Sequence, residues 1–146
     1  SIRRAMATEA KNIDRSVREV CEGAIQGSLD GKGNFPQVVK SLTKVGVESY
    51  YNDLISQSVV YYTGDGKTLS VAYQHKIDKV SDVFSSEGLK TALDDIRQAK
   101  ITYKQFCERI ASAGTYAYLV SIAGSRTFYF GRNGDFHVEY FPQQKP

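Results

Sequence analysis

An internal repeat constrains this chain of 146 residues more than any other feature of its sequence. The stretch Tyr103–Tyr140 aligns with the earlier stretch Phe35–Tyr73, and Tyr118 then falls on Tyr50. Two copies of one unit predict two similar halves. A half of this size buries too little surface to be comfortably stable alone, so we expect the halves to share one core.

Both copies open with the signature of an amphipathic helix. Asn34 with Gln37, and Thr102 with Gln105, have the spacing of a capping box. Apolar residues follow at helical spacing, namely Val38, Val39, Leu42 and Val45 in one copy and Phe106, Cys107, Ile110 and Ala113 in the other. Each copy therefore begins with a helix that buries one side.

A glycine and two extended runs follow each of these helices. Gly46 and Gly114 predict the helix ends, because only glycine enters the left-handed C′ conformation without a penalty. The runs are VESYYNDLI and SVVYYTG in the first copy and TYAYLVSIA and RTFYFGR in the second. We expect these runs to be strands.

Hairpin turns lead into a third strand in each copy. The dipeptides Asp65-Gly66 and Asn133-Gly134 suit type I′ turns. One extra residue near Thr68 brings the alternating apolar residues into line, which are Leu69, Val71 and Tyr73 in one copy and Phe136, Val138 and Tyr140 in the other.

A further amphipathic helix precedes each copy, from Ile13 to about Ser28 and from about Ser86 to Gln98. Residues 1–12 either extend the first of these helices or form a loose tail. The repeated unit of helix, helix and three strands predicts an α+β fold with antiparallel strands packed against helices. We expect one domain over 1–146, with halves of about 13–76 and 80–142, and either one continuous sheet or two.

The composition limits which kinds of partner and which cellular compartment we expect. The net charge is +3, with basic residues spread among nearly as many acids, so nucleic acid is not an expected partner. Cys21 and Cys107 lie on the apolar sides of predicted helices, and buried thiols of this kind place the chain in a reducing cytoplasm. No apolar run is long enough to span a membrane.

The sequence contains no signature of a known catalytic or metal site. His75 and His137 lie in different halves without other ligand residues nearby, so we expect neither a metal nor a cofactor. The aromatic run Phe128–Phe130, beside Arg126 and Arg132, is reminiscent of an aromatic RNA platform. Aromatic residues in strands are more often core residues, and we interpret them so.

Differences between the copies indicate candidate binding residues. Each copy shows which residues the shared fold accepts at a position, so a residue that departs from its counterpart is a candidate for function. On the first strand Glu48, Tyr50 and Asn52 of one copy stand where the other has Tyr116, Tyr118 and Val120. Asp53 lies beside them on the opposite face. One interpretation is a small polar ligand pocket, and the other is a sheet face turned to solvent.

The third strand differs as well. His137 and Glu139 share a face and, in the alignment above, replace Ser70 and Ala72. They form either a polar pair at a ligand-binding cleft or part of a solvated sheet face.

Four segments carry a resemblance to a known family: the run Gly46–Asp53, the run from Thr102 to Cys107, the Ala113-Gly114 helix stop and the closing run at 134–142. Together they resemble the YbcV-like family of small bacterial proteins, sometimes labelled phage-envelope-like, over roughly Phe35–Pro142. The resemblance implies a fold. The family has no known function, so no catalytic or binding residue is implied.

Two functions fit these observations. The first is a non-enzymatic cytoplasmic binding or regulatory module, monomeric or homodimeric, that holds a small ligand or a protein partner in the groove between the halves or on the exposed sheet face. The second is a small enzyme that uses Glu48 or Asp53 as general base, with Tyr50 and a histidine nearby. A pocket that gathers these groups would favour the enzyme.

Overall fold

A computed structural model describes residues 13–142 of the chain. Its elements in order are α1 (Arg15–Leu29), α2 (Phe35–Lys44), β1 (Val47–Asp53), β2 (Ser58–Thr63), β3 (Thr68–Ala72), α3 (Ser86–Arg97), α4 (Tyr103–Ser112), β4 (Thr115–Ser121), β5 (Arg126–Gly131) and β6 (Phe136–Tyr140). The order helix, helix and three strands occurs twice, which confirms the α+β class and the duplication. The alternatives for residues 1–12 concern residues outside the described range.

The strands form one continuous antiparallel sheet in the order β3-β2-β1-β4-β5-β6. β1 and β4 join the halves at its centre. Two backbone hydrogen bonds there are reciprocal, since the Leu54 amide donates to the Tyr116 carbonyl at 3.0 Å and the Ile122 amide donates to the Glu48 carbonyl at 2.8 Å. A pseudo-twofold axis between β1 and β4 produces this reciprocity, so the halves share a single sheet.

The two copies align without any insertion. Tyr62 pairs with Thr68 in one half and Phe130 pairs with Phe136 in the other, so the third strands keep the spacing of the first strands. The extra residue that the sequence alignment placed near Thr68 is therefore wrong. Matching apolar residues to apolar residues shifted β6 by one position, and a shift of one residue exchanges the two faces of a strand.

The helix boundaries follow the predicted caps. The side chains of Asn34 and Thr102 each accept a hydrogen bond from the backbone amide three residues on. The side-chain oxygen of the glutamine at that position accepts one from the backbone amide of the cap residue, which completes both capping boxes. Gly46 and Gly114 have φ angles of 85° and 96°, so both helices end as predicted.

The hairpin loops differ from the predicted turn type. In each loop only the glycine of the predicted dipeptide, Gly66 or Gly134, has a positive φ. The Gly66 amide donates to the carbonyl oxygen of Thr63, and the Gly134 amide donates to that of Gly131. A type I turn followed by a left-handed glycine has this geometry. The type I′ prediction is wrong, because that turn needs positive φ at two successive residues.

The helices pack on one side of the sheet and form the core there with alternate strand residues. The largest fully buried members are Leu42, Leu54, Leu89, Ile110, Val59, Val120, Asn52, Thr115, Cys21 and Cys107. Both cysteines are free and buried, as predicted. Within residues 13–142 the strand side chains of the opposite face lie outside this core cluster, although Ala117 is fully buried there. No helix in the same range is long and apolar enough to cross a membrane.

Candidate functional site

The candidate site is the side of the sheet that the helices within residues 13–142 leave open. Strand pairing arranges its side chains in three rows across the sheet. From β3 to β6 the rows are Ala72, Ser58, Asp53, Ala117, Phe130 and Phe136; then Ser70, Val60, Tyr51, Leu119, Phe128 and Val138; then Thr68, Tyr62, Ser49, Ser121, Arg126 and Tyr140. The β5 and β6 positions are mainly large and apolar, whereas the β3 positions are small.

The apolar side chains that β1, β4, β5 and β6 place on this side are termed the aromatic face, which consists of Tyr51, Leu119, Phe128, Phe130, Phe136, Val138 and Tyr140. Phe136 and Tyr140 are 65% and 61% exposed, and the other members are partly buried. The rings of Tyr51 and Phe130 lie 6.5 Å apart, which links β1 to the second half. A contiguous exposed apolar patch on a folded chain indicates an interaction surface.

The first half shows that the scaffold does not need these aromatic residues. In the gap-free alignment the open-side residues of β3, which are Thr68, Ser70 and Ala72, correspond to Phe136, Val138 and Tyr140 of β6. β3 forms the same antiparallel pairing with small residues at these positions. The large side chains of β6 therefore serve something other than strand formation.

The charges on this side are few and already engaged. The Arg126 guanidinium lies 5.1 Å from the centre of the Tyr140 ring. The Asp53 carboxylate accepts hydrogen bonds from the amides of Ile55 and Ser56 at 2.9 and 3.0 Å, which ties it to the β1–β2 turn. The rows thus contain one charge of each sign, and neither dominates the field at the aromatic face.

The structure separates Glu48 from Tyr50 and Asn52. A β-bulge within Val47–Ser49 adds one residue to the strand, so Glu48 stays exposed while Tyr50 and Asn52 are buried under the helices. The shared face expected from strict alternation is therefore wrong. Glu48 instead lines an open cleft of about 360 Å³ near the end of β4.

Asn52 is 1% exposed and lies in a closed hydrogen-bond network. Its side-chain nitrogen donates to the hydroxyls of Tyr103 and Tyr118 at 2.9 and 3.0 Å, and its oxygen accepts from Tyr73 at 2.7 Å. Burial raises the pKa of all three tyrosines, so their hydroxyls stay neutral. The amide is fully satisfied by groups from both halves, which fits a role in holding the halves together.

His137 and Glu139 do share a face, which is the helix-facing side of β6. Nε2 of His137 lies 2.9 Å from Oε2 of Glu139, and Nη1 of Arg97, the last residue of α3, lies 3.6 Å from Oε1. All three side chains are partly exposed. Arg97, His137 and Glu139 therefore form one ionic cluster beside the sheet edge.

The correct alignment changes what this cluster replaces. Its three members correspond to Leu29, Leu69 and Val71, which are 6%, 6% and 8% exposed in the first half. The match of His137 and Glu139 to Ser70 and Ala72, predicted from the alignment with the extra residue, is therefore wrong. The equivalent positions of the first half are packed between α1 and β3, whereas the side chains of Arg97, His137 and Glu139 are 37%, 18% and 25% exposed. Water therefore reaches positions that are core in the first half, and ionic side chains occupy them.

The groups of the alternative enzymatic site lie apart. Glu48 is exposed, Tyr50 is buried, and His137 is on β6, three strands from β1. His75 lies 3.9 Å from the carboxylate of Glu108, on the helix side. Within the described range no group of three or more His, Cys, Asp and Glu side chains is placed to hold a metal ion. The structure does not gather Glu48, Tyr50 and a histidine around one pocket.

A family model matches most of the chain, over residues 25–139, and it describes a protein of unknown function (DUF1398). The chain belongs to the DUF1398 family. The match takes in nearly the whole of both halves and carries no activity. No curated protein matches the chain. The YbcV-like label stays a prediction.

The aromatic face of this DUF1398 protein was not predicted from its sequence. The interpretation of the run Phe128–Phe130 as core is correct for Tyr129, which faces the helices and is 5% exposed, and wrong for Phe128 and Phe130, which face the open side. Alternation alone separates Tyr129 from its neighbours without showing which side is covered. A gap-free comparison of β3 with β6 would have revealed the excess of aromatic residues.

Proposed function

We propose that this DUF1398 protein is a non-enzymatic binding module that holds a protein partner on its aromatic face. The observation that carries the proposal is the difference between β3 and β6 on the open side of the sheet. Equivalent strands form with Ser70 in one half and Val138 in the other, so the apolar surface is an addition to the scaffold. An uncovered apolar addition of this kind suits association.

The chemistry of the surface favours a protein over a nucleic acid or a small molecule. Proteins that bind single-stranded nucleic acid combine stacking aromatics with a positively charged groove, whereas the rows here hold Arg126 and Asp53, one charge of each sign. Small ligands are enclosed in concave pockets, and the aromatic face is a broad sheet surface. We place the interaction in the cytoplasm, because buried free thiols such as Cys21 and Cys107 suit a reducing compartment.

Site-specific photo-crosslinking in cells tests this proposal with a control that the repeat supplies. A photoreactive phenylalanine at Phe136 probes the aromatic face, and the same group at Thr68 probes the equivalent position of the first half. We expect a crosslinked protein at Phe136 that is absent at Thr68, identified by mass spectrometry.

Calorimetry with the purified partner then measures the contribution of the face. Loss of two aromatic anchors in Phe136→Thr/Tyr140→Ala is expected to weaken the affinity about tenfold or more, since anchors of this type cost over 1 kcal/mol each. Equal crosslinking at both positions, or an affinity unchanged by the double substitution, contradicts the proposal.

A further inference from the structure

We infer that the protein partner on the aromatic face is a second copy of this chain, packed face to face as a reversible homodimer. The inference rests on the proposed function, because it names the occupant of the same surface. Three properties of the face support it: its area, its charge balance and its shape.

The area of the aromatic face matches a reversible dimer. Four strands about 4.8 Å apart and three rows of side chains about 6.8 Å apart give a projected area on the order of 400 Å² for β1 and β4–β6. Two copies together then bury roughly 800 Å² of projected surface and somewhat more accessible surface, which falls below about 1,200 Å², in the range of weak, transient complexes. The core of each copy is already closed under its helices, so neither copy needs the other to fold.

The charge balance of the face is compatible with its own copy. A twofold dimer sets the same patch against itself, so a surface with charges of one sign repels its copy. Phe128, Leu119 and Val138 in the middle row are uncharged, while Arg126 and Asp53 lie in the outer rows with opposite signs. An apolar centre with a polar rim is the usual anatomy of a protein interface.

The shape of the face suits a second sheet. Sheets pack face to face about 10 Å apart, with the side chains of the two inner faces interdigitated. Phe128 occupies the centre of the patch, because it lies in the middle row between Leu119 of β4 and Val138 of β6. A twofold axis through that centre brings Phe128 next to the same residue of the second copy.

Sedimentation velocity of the purified chain tests the inference. Wild type is expected to show a monomer–dimer equilibrium over roughly 1 to 300 μM, which brackets the micromolar Kd of a small interface. Phe128→Arg sets two like charges together at the axis, and we expect it to be monomeric throughout this range. Val60→Arg makes the same change at the equivalent position of β2, outside the aromatic face, and is expected to retain the dimer.

A second variant distinguishes loss of the dimer from misfolding, in case Phe128→Arg does not fold. The triple change Phe136→Thr, Val138→Ser and Tyr140→Ala gives β6 the open-side residues of β3, which the scaffold already accommodates. It is expected to keep the circular dichroism spectrum of wild type and to lose the dimer.

Three results overturn the inference. They are a wild type that is monomeric at every concentration, a dimer that persists in both aromatic-face variants, and a dimer lost equally in Val60→Arg. A monomeric wild type that crosslinks to a different protein at Phe136 and not at Thr68 leaves the proposed function standing, whereas a monomer that crosslinks to nothing contradicts both.

Discussion

Gly46 and Gly114 occupy equivalent positions but differ in what surrounds them. Both have a left-handed φ, so alanine at either position costs about 1 kcal/mol through backbone strain. An added Cβ at Gly114 also lies 2.5 Å from the carbonyl oxygen of Val83 and 2.7 Å from Cα of Phe84, whereas Gly46 has open space.

We therefore predict that Gly114→Ala lowers the free energy of unfolding by about 2 kcal/mol or more and Gly46→Ala by about 1 kcal/mol. Urea denaturation of the two variants measures the difference. Equal losses would mean that the connector around Val83 yields without cost and that only the φ angle matters.

The network around Asn52 gives a second prediction about single side chains. Asn52→Val leaves the hydroxyls of Tyr73, Tyr103 and Tyr118 without their amide partner, and we expect a loss of about 1–3 kcal/mol. Chemical denaturation measures this loss.

The other half supplies the control for this variant. The positions equivalent to Asn52, Tyr73 and Tyr103 are Val120, Phe141 and Phe35, and the rings of Phe35 and Phe141 pack edge to face at 5.0 Å. Removing all three hydroxyls together with the amide, in Asn52→Val/Tyr73→Phe/Tyr103→Phe/Tyr118→Phe, is expected to recover most of the stability, since no buried hydroxyl is left without a partner. A quadruple variant less stable than Asn52→Val would show that the hydrogen bonds of the network stabilise the fold by more than the burial of its polar groups costs.

β6 is the strand whose environment departs furthest from that of its counterpart. β3 buries Leu69 and Val71 under α1, whereas β6 has no fully buried residue and carries His137 and Glu139 on its helix side. An ionic cluster that is partly exposed contributes little to stability, and well-packed apolar residues of similar volume commonly contribute more.

We predict that the triple change Arg97→Leu, His137→Leu and Glu139→Val stabilises the fold by about 1–2 kcal/mol, since it restores the residues of the first half. Glu139→Val alone is expected to destabilise, because it leaves Arg97 and His137 without their carboxylate. Thermal unfolding distinguishes the two variants. A triple variant that melts below wild type would show that the ion pairs hold β6 in place.

The whole fold is expected to be sensitive to alkali. Burial raises the pKa of the Cys21 thiol from 9.0 to about 11 and that of the Cys107 thiol from 9.0 to about 12. Between the unfolded and folded pKa values the native state keeps protons that the unfolded chain releases, so stability falls as pH rises.

We predict that the free energy of unfolding is fully retained below about pH 9 and declines from there to about pH 12, with a slope of up to about 1.4 kcal/mol per pH unit for each such group. Urea titrations at several pH values measure this slope. A constant free energy between pH 9 and pH 11 would contradict the assignment of these groups to the core.

The sequence by itself determined the local structure and the duplication. Both capping boxes, both glycine helix ends and the two hairpin positions are where their residues predict, since a cap or a left-handed glycine acts within a few residues of itself. It also predicted that His137 and Glu139 share a face, which follows from the period of a strand.

Only the tertiary structure decided which face of each strand is buried and how the third strands align. The bulge that separates Glu48 from Tyr50 depends on pairing with β2, and the exposure of the ionic cluster depends on how α3 packs against β6. Both sides of β5 are apolar, so alternation could not tell Phe128 from Tyr129. The helices packed on one side of a continuous sheet, which buried Tyr129 and left Phe128 and Phe130 on the open face.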